Sequence, residues 1–181
     1  MPLSHRAGFA WYHVILTTYG AWLYGDARGF RTRHHREHVN GDYKNPPPAG
    51  KYESLANRSR ESLRHAPIEL SLEFREVVGT ALVESFQKSG CTVDCAAVAT
   101  QHGHVLVELP TGEQRNLAGK AKLTAWFALR DRGWKQKLWA QRSKAVPIND
   151  EKHRAAAHRY ILRHREVGAW VWEDGDAAHG T

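Results

Sequence analysis

The chain has 181 residues, with 26 Lys and Arg against 19 Asp and Glu, which gives a formal net charge of +7. No apolar run approaches the roughly 20 residues of a membrane-spanning helix, and two cysteines are too few for a disulfide framework. The N-terminus lacks the apolar stretch of a secretion signal. We therefore expect a single basic, cytoplasmic domain over residues 1–181, and the positive charge weakly indicates a polyanionic partner.

Seven elements of regular structure are predicted in chain order. A strand over 11–18 precedes a long, basic, proline-containing loop insertion at about 19–67, which has no sustained apolar period. There follow a helix (70–88), two strands (91–99 and 102–109), a second helix (114–132), a fourth strand (138–145) and a last helix from the N-cap Asp150 to about Glu166. A tail containing Trp170 and Trp172 ends the chain. The first six elements predict an α+β fold, a ferredoxin-like split βαββαβ antiparallel sheet, to which a C-terminal helix is added.

Two pairs of residues carry candidate chemistry. His102 and His104 lie two apart in a predicted strand, so they share one face of the sheet and can hold a divalent metal between them. A polar, solvent-facing stripe is the alternative, because 12 histidines make chance pairs expected. Tyr160 and His164 lie four apart on one face of the last helix. That spacing can place a nucleophile beside a metal ligand, or it can reflect a half-buried tyrosine with an exposed histidine.

Together the two pairs resemble the pattern of HUH-type single-tyrosine nucleases. This family includes small insertion-sequence transposases that act on single strands and the REP-associated tyrosine transposases. Residues 12–14 (YHV), followed by Thr17 and Thr18, are similar to the family's first strand. Residues 19–29 (YGAWLYGDARG) resemble the signature TYG-x-WL-x-GD-x-RG of a bacterial branch of transposase-like proteins.

The sequence departs from the family pattern at three places. Gly103 stands between the paired histidines, where a bulky apolar residue is usual. His164 occupies the position of the third ligand, which is often Gln, Glu or Asn in the family. The Asn-Pro that often follows the tyrosine in REP-associated members is absent after Tyr160.

The resemblance implies metal-dependent nicking and rejoining of single-stranded or hairpin DNA. Tyr160 would attack phosphorus and form a 5′-phosphotyrosine. His102, His104 and His164 would hold the metal, with Mg²⁺ or Mn²⁺ expected and Zn²⁺ as a further candidate. A homodimer in the bacterial nucleoid, with no membrane partner, is expected from the same resemblance.

Cationic and aromatic residues add candidate contacts to nucleic acid. A basic cluster in the insertion reads either as a phosphate-contacting arm or as a solvated loop: Arg28, Arg31, Arg33 and Arg36. Arg159 and Arg163 flank Tyr160 and are expected to bind DNA and to ease loss of the phenol proton. Trp170 and Trp172 are candidates for stacking unpaired bases or for sealing a dimer.

Two other functions remain open at this point. One is a catalytically silent relative that binds structured single-stranded DNA or RNA on the same sheet. The other is a ferredoxin-like RNA-binding module with incidental histidines. The presence of all four candidate residues at workable spacings favours the enzyme over the second of these.

Overall fold

The computed structural model describes residues 3–26, 30–31, 38–39, 48 and 50–175. Contacts divide the chain into two compact units, one of residues 1–18 with 69–181 and one of residues 19–68. The strands are β1 (Phe9–Thr18), β2 (Phe30–Arg31), β3 (His38–Val39), β4 (Thr92–Val98), β5 (His102–Pro110), β6 (Trp139–Pro147) and β7 (Trp170–Glu173). The helices are α1 (Glu53–Glu61), α2 (Leu72–Lys88), α3 (Gln114–Arg130) and α4 (Glu151–Leu162).

The larger unit is built on a five-stranded sheet in the order β6-β1-β5-β4-β7, with every neighbouring pair antiparallel. The order β6-β1-β5-β4 is that of a split βαββαβ sheet, so the predicted α+β, ferredoxin-like fold is confirmed. The predicted tail is wrong, because the chain after α4 returns as β7 and pairs with β4. Four residues are too few to show a clear strand pattern, which is why the sequence suggested a tail.

Helices cover both faces of this sheet. α2 and α3 pack against each other and against one face, on the side of the fully buried Val14 and Leu16. α4 lies on the other face. There the sheet and α4 share one buried cluster, whose members include Trp11, Cys95, Leu106, Ala157 and Ile161. This cluster fixes α4 over the centre of the sheet.

The start and end of α4 follow from local chemistry. The Asp150 carboxylate accepts a hydrogen bond from the backbone N–H of His153 at 2.7 Å, which confirms Asp150 as the N-cap. α4 ends at Leu162, and a 3₁₀ turn over Arg163–Val167 carries the chain to Gly168, whose φ is 76°. The predicted single helix to about Glu166 is therefore an α-helix continued by a tighter turn, and His164 lies in that turn.

The smaller unit contains the β2–β3 pair and α1. Its signature-like segment has glycines where the backbone requires them. Gly25 has a φ of 87°, and a Cβ there would lie 2.4 Å from the backbone nitrogen of Ala56 in α1. No other residue fits this position without displacing α1. Arg28, Arg33 and Arg36 lie outside the described residues, and Arg31 is described only as part of β2.

Across the part of the chain that the structure describes, no helix combines the length and apolar character needed to cross a membrane.

Candidate metal and tyrosine site

β5 presents two imidazoles to the face of the sheet that α4 covers. The side chains of His102 and His104 lie on this face, with ring centroids 4.9 Å apart. Gly103 faces the opposite side, where a Cβ would lie 3.7 Å from Leu82 of α2. Glycine at this position therefore does not disturb the alternation that puts both histidines on one face.

α4 and the turn after it bring two more groups to the same place. Ala157 and Ile161 are the buried anchors of α4, and Tyr160 lies beside them in the chain and is 43% exposed. The Tyr160 ring centroid is 5.4 Å from that of His104 and 4.9 Å from that of His164. A partly exposed tyrosine thus lies beside the imidazole cluster.

The three predicted ligands converge in one chain. One ring nitrogen from each of His102, His104 and His164 lies within 4.8 Å of the other two. Two nitrogens bonded to one metal ion lie closer together than this, so binding would draw the three rings inward. The three histidines are thus placed so that they could hold a metal ion.

Hydrogen bonds at the ring nitrogens also fit a metal. His164 Nδ1 lies 3.0 Å from the backbone carbonyl oxygen of Tyr160, so it carries the proton and donates it, which leaves Nε2 as a lone pair. Among the described residues, His104 Nε2 is buried and has no hydrogen-bond partner. A buried nitrogen without a partner is costly, and a bound cation would satisfy it.

Burial keeps two of the imidazoles neutral. Desolvation, followed by the nearby His102 and His13, lowers the pKa of His104 to about 2. Desolvation also lowers the pKa of His13 to about 4, followed by smaller effects of the nearby His164, His153 and Lys144. A neutral imidazole has the lone pair that a metal ligand needs, so His104 is in the charge state that can bind a metal at neutral pH.

His13 was missed as a site residue in the sequence. It lies on β1, its Nε2 is 2.9 Å from His104 Nδ1, and its ring is 5.9 Å from that of Tyr160. The available signal was the period of two along β1, because Trp11 and His13 share the face that packs under α4. Lys144 was also missed in the sequence, because its place beside His13 depends on the pairing of β1 with β6. It pairs with Ile15 across β1 and β6 and so shares the face of His13.

The other predicted residues are distributed more widely. Arg159 and Arg163 are exposed on α4 and on the 3₁₀ turn. Together with Leu162, Arg165 and Glu166 they line a shallow depression of about 520 Å³. Trp170 and Trp172 lie in β7 on the α2 side of the sheet, opposite Val98 and Ala96 of β4. They therefore lie on the face of the sheet away from Tyr160.

Other described tyrosines lie outside the imidazole cluster. The Tyr12 hydroxyl accepts a hydrogen bond from the side-chain amide of Gln114, on the α3 side of the sheet. The Tyr19 hydroxyl accepts from the backbone N–H of Arg64 within the smaller unit. Of the tyrosines that the structure describes, Tyr160 alone makes ring contacts with the clustered histidines.

No protein-family model matches the chain, and no curated protein matches it significantly. Among solved structures, the chain is similar to that of a REP-associated tyrosine transposase bound to a REP hairpin. The TM-score is 0.46 and the identity 14%, over 93% of this chain and 75% of that one. The clustering of His102, His104, Tyr160 and His164 is a property of this chain's own packing and does not depend on that similarity.

Proposed function

We propose that the protein nicks and rejoins single-stranded DNA with Tyr160 as nucleophile and a divalent metal held by His102, His104 and His164. One observation carries this proposal. A solvent-accessible phenol lies with its ring about 5 Å from two imidazoles of a three-histidine cluster that could hold a metal. A nucleophile at the edge of such a cluster can reach a phosphate that is bound there.

The reaction is a transesterification at one phosphodiester. His102, His104 and His164 would hold the metal, whose contribution would be Lewis-acid polarisation of the scissile phosphate. The Tyr160 Oη forms a bond to phosphorus, and the bond from phosphorus to the 3′ oxygen of the preceding nucleotide breaks. The phenol proton goes to solvent, and the departing 3′ oxygen takes up a proton. The 5′-phosphotyrosine conserves the energy of the cleaved phosphodiester bond. A 3′ hydroxyl can therefore attack it in the reverse reaction and rejoin the strand.

The donor set bears on which metal is used. Three neutral imidazoles offer only nitrogen, and Mg²⁺ prefers oxygen ligands in an octahedral shell that retains water. Imidazole suits first-row transition metals better. We therefore rank Mn²⁺ and Zn²⁺ above Mg²⁺ for this site.

Unpaired DNA is the proposed partner. Arg159 and Arg163 are exposed close to Tyr160 in the chain and can contact the phosphates that flank the scissile one. Arg28, Arg31, Arg33 and Arg36 of the insertion are further proposed contacts to phosphate. All four residues of the proposed site come from one chain, so the chemistry does not require the homodimer. The homodimer and the bacterial nucleoid location stay predictions.

The test uses hairpin DNAs with single-stranded flanks, labelled at either end, with Mn²⁺, Zn²⁺, Mg²⁺ or EDTA. A 5′-phosphotyrosine transfers the 3′-labelled part of the DNA to the protein and leaves the 5′-labelled part free on a denaturing gel. Tyr160→Phe should abolish the adduct. The matched control is Tyr24→Phe, since Tyr24 is also exposed, at 46%, but lies in the smaller unit.

Two outcomes would contradict the proposal. An adduct that survives in Tyr160→Phe would assign the nucleophile to another residue. Binding of hairpin DNA or RNA with no adduct under any metal would instead identify a catalytically silent binding protein.

A further inference from the structure

His13 and His104 are joined by a hydrogen bond between ring nitrogens. The distance from His13 Nε2 to His104 Nδ1 is 2.9 Å, and the ring planes are tilted by 43°. His104 sits opposite Ile15 in the β1–β5 register, so His13 reaches it diagonally across the two strands. The contact is built into the sheet and is made by two strands whose pairing spans nine residue pairs.

The hydrogen bond has two possible directions, which differ in their consequence. A neutral imidazole carries one proton, on Nδ1 or on Nε2. If His13 donates, His104 must carry its own proton on Nε2, inside the imidazole cluster. That N–H is buried without a partner among the described residues and cannot bind a cation. If His104 donates from Nδ1, its Nε2 presents a lone pair to the cluster.

We infer that His13 is a positioning residue that accepts the Nδ1 proton of His104 and thereby fixes His104 as an Nε2 ligand. This inference rests on the proposed function only in taking the cluster to bind a divalent cation. Metal-bound histidines commonly donate their other ring N–H to an outer partner, which sets the tautomer and the ring orientation. His13 is half-buried on β1, on the face of the sheet that packs under α4.

The choice of an imidazole as outer partner has an electrostatic consequence. The usual partner is a carboxylate, a carbonyl or water, and a carboxylate would add a negative charge next to the metal. His13 accepts the proton without adding charge. An imidazole that binds a metal does so in its neutral form and His13 adds no charge, so a divalent cation would keep its full charge for an incoming phosphate. The exposed cation Lys144 on the same face acts in the same direction.

Two substitutions separate this role from simple packing. His13→Gln can place its side-chain oxygen near the position of Nε2 and accept the same proton. His13→Leu fills similar space and accepts nothing. Titration of the metal-free protein with Co²⁺, followed by visible absorbance, should show weakening of about 10–100-fold for His13→Leu. For His13→Gln the affinity should stay within about 3-fold of the parent, as expected for a retained acceptor.

Ring-nitrogen NMR of the ¹⁵N-labelled, metal-free protein gives a second readout. The inference requires the proton of His104 on Nδ1 and the proton of His13 on Nδ1. A proton on His104 Nε2, or equal Co²⁺ affinity of His13→Leu and the parent, would overturn it. If the parent binds no Co²⁺, the metal-dependent function fails, and the ring protonation alone then decides the role of His13. If His13→Leu does not fold, His13→Gln and the NMR measurement decide it.

Discussion

The indole of Trp170 in β7 lies directly on the backbone of Gly79 in α2. A Cβ at Gly79 would lie 2.0 Å from Cε3 and 2.1 Å from Cζ3 of Trp170. Gly79→Ala should therefore destabilise the protein by about 1–3 kcal/mol, the usual cost of overpacking, although alanine favours helices. Thermal or urea unfolding measures the change. In a Trp170→Leu background the same substitution should cost much less.

Gly119 in α3 supplies the matched control. It is also a helical glycine, but nothing lies within 4 Å of a Cβ built there. Gly119→Ala should stabilise the protein by up to about 1 kcal/mol, because only helix propensity acts. A stabilising Gly79→Ala would mean that β7 does not pack on α2 as described.

Gly103 between the paired histidines should tolerate a methyl group. A Cβ there would have its nearest neighbours, the Ala97 carbonyl oxygen and Val98 Cγ2, at 3.6 Å, an ordinary contact distance. Gly103→Ala should stabilise the protein by roughly 0.5–1 kcal/mol through reduced chain entropy in the unfolded state. Co²⁺ affinity should not change. A loss of stability, measured by unfolding, would show that β5 and α2 are closer than described.

Metal binding should depend on His164 and not on its neighbour His158. His164 is one of the three clustered imidazoles, whereas His158 on α4 pairs with Glu173 at 3.2 Å. His164→Ala should weaken Co²⁺ binding by more than the roughly 10–100-fold cost of losing an outer partner. His158→Ala should leave it unchanged. Equal effects in both variants would place the metal elsewhere.

The buried Glu108 should make the protein sensitive to acid. Burial alone would raise its pKa, but hydrogen bonds from the Arg6 backbone N–H at 2.7 Å and guanidinium at 2.6 Å outweigh this and lower it. A carboxylate with a lowered pKa stabilises the fold above its unfolded-state pKa, and this contribution is lost as the pH falls through the folded-state pKa.

Glu108→Gln should therefore lower Tm at pH 7 and make Tm less dependent on pH below about 4.5, the ordinary pKa of the group. Glu76→Gln, at an exposed position of α2, is the control and should leave both unchanged. The measurement is Tm by circular dichroism between pH 7 and the acid range. An unaltered pH dependence in Glu108→Gln would contradict the role of the Arg6 contact.

DNA affinity should fall with salt in proportion to the number of neutralised phosphates. Each contact on a single strand adds about 0.7 to the slope of log K against log salt. Replacing Arg31, Arg33 and Arg36 with Ala should reduce that slope by up to about 2. The control removes the same charge from α3, through Arg115→Ala, Lys120→Ala and Arg130→Ala, and should have little effect. If both triple variants reduced the slope equally, the salt dependence would come from the overall positive charge and not from direct contacts of Arg31, Arg33 and Arg36 with phosphates.

The local parts of the site were predictable because short-range spacing determines them. His102 and His104 share a face through the period of two, and Tyr160 and His164 are neighbours one turn apart. Their meeting depends on the packing of α4 across β5, which involves residues about 55 positions apart in the chain, and no local pattern encodes it. The family resemblance supplied that step. His13 needed the β1–β5 register, which is equally long-range.

The fifth strand had no signal that a local pattern could carry. Residues 95–99 of β4 and its end are all buried, and such a continuous apolar run is typical of a strand covered on both faces. This burial does not reveal whether another strand pairs with the edge of β4. β7 itself has four residues, too few to show a period, so its pairing with β4 could not be predicted from the sequence.

α4 is tethered at both ends, since it follows β6 at one edge of the sheet and leads through a short turn into β7 at the other. The helix that carries Tyr160 is therefore held at both of its ends by strands of the sheet. A DNA end joined to Tyr160 would stay over its own sheet, because swinging it away would require β7 to separate from β4. In an exchange of DNA strands, the DNA end joined to Tyr160 would stay in place, and the incoming 3′ end would have to move to it.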